Sequence, residues 1–212
     1  MSYVIIETLT DNSCAFPHHI RDIAEGKLFC ARCQQIWEEI EAVDVMLYSR
    51  KCIDKKAPFT FMSNIMVPIV HVSFLECFRR DLIERDFYLG RVYCERGTLQ
   101  EDWVTVRGRY RLIVRGTEYV TYRTCEICRR PMYFSNGGYF LYPKPPEDVA
   151  YFTCGPDFIV RAEYIDMDLL RRVPKVSFEE VPVVDSPLDS YGLIDNSEYR
   201  PPPNPHWELP DL

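Results

Sequence analysis

The chain lacks most of the signatures that name a chemistry. Its amino terminus, "MSYVIIETLTDNSC", has no basic start, no long apolar stretch and no small-residue cleavage site, so nothing there reads as a secretory signal. No apolar run approaches the roughly 18 residues that a membrane-spanning helix needs. A positive excess is missing too: the formal net charge is -7, whereas affinity for nucleic acid rests on a positive face against phosphate. There is no nucleophile elbow, phosphate loop, dinucleotide fingerprint or metalloprotease helix. These absences lead to the expectation of a cytoplasmic protein that is not an enzyme, binds no nucleic acid, crosses no membrane and suits a basic partner.

What is present is a core and a set of cysteines. At 212 residues and 47% hydrophobic, the chain can bury enough apolar surface to fold without staples. Nine cysteines in a reducing compartment read as metal or redox ligands, not as a disulfide framework. Four of them form two C-x-x-C pairs, Cys30 with Cys33 in "FCARCQQIW" and Cys125 with Cys128 in "TCEICRRPMYF". Such a turn sets two sulfurs on one side of a knuckle, and two knuckles complete a tetrahedral, closed zinc site whose binding energy becomes folding energy. Zinc ribbons keep their pairs about 15 to 20 residues apart; here about ninety residues intervene, so one zinc on all four thiolates would tie distant parts of the chain together. Two other readings stay open. The first pair could open a thioredoxin-like helix, although no βαβ pattern precedes it and Pro131 closely follows the second. Either pair could also be metal-free core thiols. Haem attachment is excluded, because Gln34 and Arg129 stand where it needs histidine.

The remaining cysteines and histidines form no constellation. Cys77 and Cys94 read as small buried apolar residues, and His71 as a satisfied core residue within a strand pattern. His18 and His19, near Cys14, read as a surface loop. Cys154 stands at a turn marked by Gly155 and Pro156.

Periodicity gives an α+β (mixed α/β) body over residues 1–185 and a proline-rich, acidic tail over 186–212. "YVIIET" and "NIMVPIVHVSF" are strand-like, with Pro68 at an edge or start. Ser73 and Glu76 have capping-box spacing at the head of a helix reading "FLECFRRDLIERDF". "GRVYCERG" follows as a strand, and then strands turn near Gly108 and Gly116. Residues 156–185 repeat the strand-helix-strand order, with a short helix around Tyr164 to Arg172 and the strand "VSFEEVPVV". Ile159-Val160 falls on Ile69-Val70 at an offset of ninety, and the C-x-x-C pairs are offset by ninety-five. Two related halves, about 28–95 and 120–185, are therefore expected, each holding one C-x-x-C pair. Asp44-Val45 and Asp148-Val149 are a further expected correspondence. "RGRYRLIVRG" is the one candidate basic stripe, with Arg107, Arg109, Arg111 and Arg115 alternating onto one strand face. Candidate partner-binding residues are Glu179 and Glu180 in the last strand, and Tyr199 and Trp207 in the tail.

"CARCQQIW", "CEICRRP", "GGYFLYPKPPEDVAYF", "DFIVRAEYIDMDLLRR" and "VSFEEVPVV" together resemble the double-CXXCG motif proteins, known from myxobacteria as paralogous sets. The resemblance covers about residues 1–185. Some members of that family are immunity proteins encoded beside a lipoprotein toxin delivered between cells. The resemblance thus implies a protein that neutralises a cognate toxin, encoded by an adjacent gene, through a stoichiometric complex. The family glycine after each second cysteine is replaced here by Gln34 and Arg129. The alternatives are a zinc-ribbon adaptor in regulation and, third, a C-x-x-C thiol oxidoreductase.

Overall fold

The structure is a computed structural model that describes residues 2–8, 15–17, 30, 40–62, 67–94, 97–109, 114–116, 119–124, 126–127, 131–136, 139–141, 144–154 and 156–183. It is a mixed α+β fold of sheets with a few short helices. A six-stranded sheet runs in the order β2 (Ala15–Pro17), β3 (Val45–Leu47), β6 (Phe87–Cys94), β7 (Thr98–Gly108), β5 (Val67–His71), β4 (Phe59–Met62). A four-stranded sheet runs β12 (Tyr151–Cys154), β13 (Asp157–Arg161), β1 (Tyr3–Thr8), β14 (Val176–Val181). Two further pairs, β8 (Val114–Gly116) with β11 (Tyr139–Leu141) and β9 (Tyr119–Thr124) with β10 (Pro131–Asn136), are antiparallel.

The continuous apolar runs are strands covered on both faces, where alternation with polar residues is not required. In β1, Val4 and Ile6 face one apolar cluster while Tyr3 and Ile5 face another. β13 divides the same way, with Phe158 and Val160 on the first and Ile159 on the second. In β5, Val70 faces the first cluster, and Val67 and Ile69 face a third, on the outer side of the larger sheet.

The first cluster lies between the sheets and is built on aromatic rings. Phe158 lies within 5.1–5.7 Å, centroid to centroid, of Phe59, Phe74, Phe78 and Phe87. Tyr151 stacks on Phe87 at 5.5 Å and meets Phe78 edge-on at 5.2 Å. Each such pair contributes about 0.5–1.5 kcal/mol beyond the area it buries. The sheets are therefore joined by their largest side chains.

The same strand order occurs in both sheets. β4-β5-β7-β6 and β12-β13-β1-β14 are each antiparallel throughout. In the first, Ile69, Val70 and His71 oppose Thr105, Val104 and Trp103. In the second, Ile159, Val160 and Arg161 oppose Ile5, Val4 and Tyr3. The amino-terminal strand thus occupies in one sheet the central place that β7 occupies in the other. Beyond β6, β3 runs parallel; beyond β14, Leu141 of β11 makes a parallel bridge with Val183. Val45 opens β3, whereas Asp148-Val149 lies in the segment before β12.

The connections between these strands also correspond. After β5 comes a 3-10 turn at Val72–Cys77, then Phe78, then α1 (Arg80–Asp86); after β13 comes a 3-10 turn at Ala162–Tyr164, then Ile165, then α2 (Met167–Leu170). Phe78 and Ile165 bridge each other antiparallel, and the Asp166 N–H donates to the Cys77 carbonyl at 2.8 Å. The single helix expected from Phe74 to Phe87 is therefore broken where Phe78 leaves to make this bridge. The expected capping box does not form either. His71 caps the 3-10 turn, its Nδ1 accepting from the Ser73 N–H at 3.2 Å, and Ser73 lies inside the turn.

Candidate functional site

Of the four cysteines expected to hold zinc, Cys30 is fully buried, while Cys33, Cys125 and Cys128 lie outside the described residues. The elements flanking the pairs belong to different sheets. The first pair falls between β2 and β3 of the six-stranded sheet. The second joins β9 to β10, near β8 and β11, which attach to the end of β14. Among the described residues, no three His, Cys, Asp or Glu side chains converge as a metal site.

Glu179 and Glu180 are exposed on β14. They oppose Ile5 and Val4, which face different clusters, so the two carboxylates project from opposite faces of the sheet and form no single patch. Tyr199 and Trp207 lie outside the described residues. The basic stripe is not one strand face: Arg107 is buried in β7, Arg109 stacks over the Tyr88 ring at 4.1 Å, and Arg115 belongs to the separate strand β8. Residues 110–113 are not described.

His71 departs from the expected satisfied core residue. It is half-buried, with Nδ1 on Ser73 and its ring edge-on to Trp103 at 5.3 Å. Because Nδ1 accepts the Ser73 N–H, a neutral ring carries its proton on Nε2, a buried atom without a hydrogen-bond partner among the described residues. Burial lowers its pKa, and Lys55 lowers it further.

A concavity lies beside Trp103, whose ring meets His71 edge-on. Between Arg91–Val104 and Tyr93–Leu99 in the ladder, β6 has one residue, Val92, whereas β7 has four, Gln100 to Trp103. This bulge swings β7 away from its neighbour, as bulges beside binding sites do. Facing it is the segment from Ser49 to Ala57, shaped by its own turns. Ser49 Oγ accepts from the Lys51 N–H, and Asp54 Oδ1 accepts from the Lys56 N–H. Ile53 anchors this segment on the outer apolar cluster with Trp103, and Lys55 Nζ reaches Asp102 Oδ2 at 3.1 Å. The groove between them has a cavity volume of about 320 Å³, lined by Arg50, Ile53, Lys55 and residues Thr98 to Trp103. Its basic lip was legible as "RKCIDKK"; the bulge was not, because register depends on the partner strand.

A second group of charges sits on the smaller sheet. Glu7, Asp157 and Glu179 lie near one another around β1. Burial pushes the Asp157 carboxyl up to about 7, with the charge of Glu7 adding to the rise. Burial raises the Glu7 carboxyl as well, assisted by Glu179. Burial first, and neighbouring negative charge second, thus raise both the Asp157 and the Glu7 carboxyls.

No protein-family model matches the chain, and no curated protein matches it.

Proposed function

We propose that the chain is an immunity protein that binds a cognate bacterial toxin, encoded by an adjacent gene, and silences it in a stoichiometric complex without catalysis. The observation that carries the reading is the segment through which the sequence resembles the double-CXXCG proteins: "DFIVRAEYIDMDLLRR" with "VSFEEV" is the strand-helix-strand unit from β13 to β14 of the smaller sheet. The net charge of -7 supports fast capture of a basic partner in the cytoplasm. Tyr48, Leu89 and Leu99, exposed at 64%, 44% and 44%, are anchors of the kind that hold such complexes. Glu179 and Glu180 contribute as rim charges, and Tyr199 and Trp207 as further anchors.

The same reading takes the chain as two related halves, about 28–95 and 120–185. The shared strand order and the Phe78–Ile165 bridge support it. Zinc belongs to the proposal: Cys30, Cys33, Cys125 and Cys128 would hold it as thiolates, and it would supply folding energy and no open coordination position. The complete burial of Cys30 fits a structural ligand.

The test is co-expression with the product of the neighbouring gene. Growth should fail with that product alone, be rescued by this chain, and yield an equimolar complex on purification. A harmless neighbour that binds nothing would remove the proposal.

A further inference from the structure

We infer that the groove between the Ser49–Ala57 segment and the bulged start of β7 is a binding site for a small zwitterion of the amino-acid type. This goes beyond the toxin reading and does not depend on it. Several polar groups without partners among the described residues surround one cavity. Lys55 and Asp102 neutralise each other across the mouth. Arg50 and Glu101 line the same cavity and, among the described residues, neither has an ion-pair partner. Trp103 is 4% exposed and its indole N–H has no acceptor among the described residues. Gln100 is held by its amide nitrogen, which donates to Cys94 Sγ and to the Thr98 carbonyl, each at 3.1 Å. That grip turns the opposite pole of the amide, an acceptor, to other use.

Among the described residues the groove therefore offers one cation outside any ion pair, Arg50, whose charge also acts on nearby Asp102, one unpaired carboxylate, one neutral donor and one neutral acceptor, with Ile53 and Leu99 as apolar walls. A simple anion would use the Arg50 guanidinium and the indole N–H but would be repelled by Glu101. A simple cation would meet the reverse. A molecule with a carboxylate for Arg50, an ammonium for Glu101 and an apolar side chain between the walls satisfies every group. A cavity volume of about 320 Å³ stands at the small end of ligand pockets, the size of an amino acid or a very short peptide. The site also has a rigid floor. Trp103 is fixed by His71 on one side and by the outer apolar cluster on the other, so little ordering is required on binding.

The experiment follows the indole N–H resonance of Trp103 in the full chain during titration with each common amino acid, with dipeptides, and with acetate, methylammonium and inorganic phosphate as single-charge probes. At least one amino acid or dipeptide should shift it saturably, and the single-charge probes should bind far more weakly. Arg50→Gln and Glu101→Gln, both at exposed positions and outside the apolar clusters, should each weaken that binding about tenfold, the effect of one lost charge-assisted hydrogen bond. Preference for a dipeptide over every free amino acid would assign the source as a peptide end; the reverse would assign a free metabolite. Absence of any saturable shift would overturn the inference. So would binding of acetate or phosphate to the native chain as tightly as any amino acid or dipeptide, since that describes an anion site.

Discussion

Two buried polar residues hold the sheets in register. Tyr151 lies among the aromatic rings, yet its hydroxyl accepts from the Arg79 N–H at 2.8 Å and donates to the Tyr164 carbonyl at 2.6 Å. It therefore joins the two 3-10-to-helix connections, and burial pushes its phenol up to about 12. Asp86, fully buried, accepts from Arg85 through both carboxylate oxygens and from the Ala150 and Tyr151 N–H groups. Tyr151→Phe keeps the ring but orphans two backbone groups; it should cost about 1–2 kcal/mol, read as a lower denaturant midpoint with an unchanged slope. Asp157 gives a pH test. Its folded-state pKa is raised from 3.8 to about 7, so the stability it contributes is fully present below the ordinary carboxylate range and is lost as pH rises through about 7. Comparing unfolding free energies at about pH 5 and about pH 8, the native chain should lose stability across that interval and Asp157→Asn should lose less. Identical profiles for the two would show that Asp157 does not hold its proton.

At the scale of elements, β6 depends on a residue that does nothing but stay small. Gly90 opposes Thr105, whose hydroxyl donates to the Val43 carbonyl at 2.6 Å. A Cβ at Gly90 would collide with both the Thr105 hydroxyl and the Val43 backbone. Gly90→Ala should therefore destabilise the fold by about 1–3 kcal/mol and break the hydrogen bond that ties the segment before β3 across β6; amide exchange near Val43 would report it. Strand identity along β1, β5, β13 and β14 was legible from apolar content alone. The interruption of the helical segments at Phe78 and Ile165 was not, because each leaves its turn to pair with the other about ninety residues away. Local propensity carries no information about so distant a partner.

For the whole molecule, one of the two inner strands of the smaller sheet, β1, is the first of the described strands. β1 is flanked by β13 and β14, so that sheet closes only when the two ends of the described body meet. The zinc proposal can be examined at the same scale. If one ion is shared by both C-x-x-C pairs, metal content should be one per chain, and Cys30→Ser and Cys125→Ser should each abolish it and lower Tm by several degrees. If each substitution removes only its own share, the pairs serve separate ions. No loss with either would leave the cysteines as core thiols.

By itself the sequence determined that β1, β5, β6, β13 and β14 are strands, the mixed α+β class, the recurrence of one strand-helix-strand order and the sign of the overall field. These follow from the apolar content, spacing and charge of neighbouring residues, which short-range physics reads directly. Tertiary structure decided the rest. It placed β1 where β7 would otherwise be matched, divided Glu179 from Glu180 across a sheet, buried Arg107, and drew Arg50 and Trp103 to one groove through a bulge. Each of these depends on which distant strand lies alongside and in what register. Pairing of that kind is decided by the packing of a whole core and not by any window of the chain.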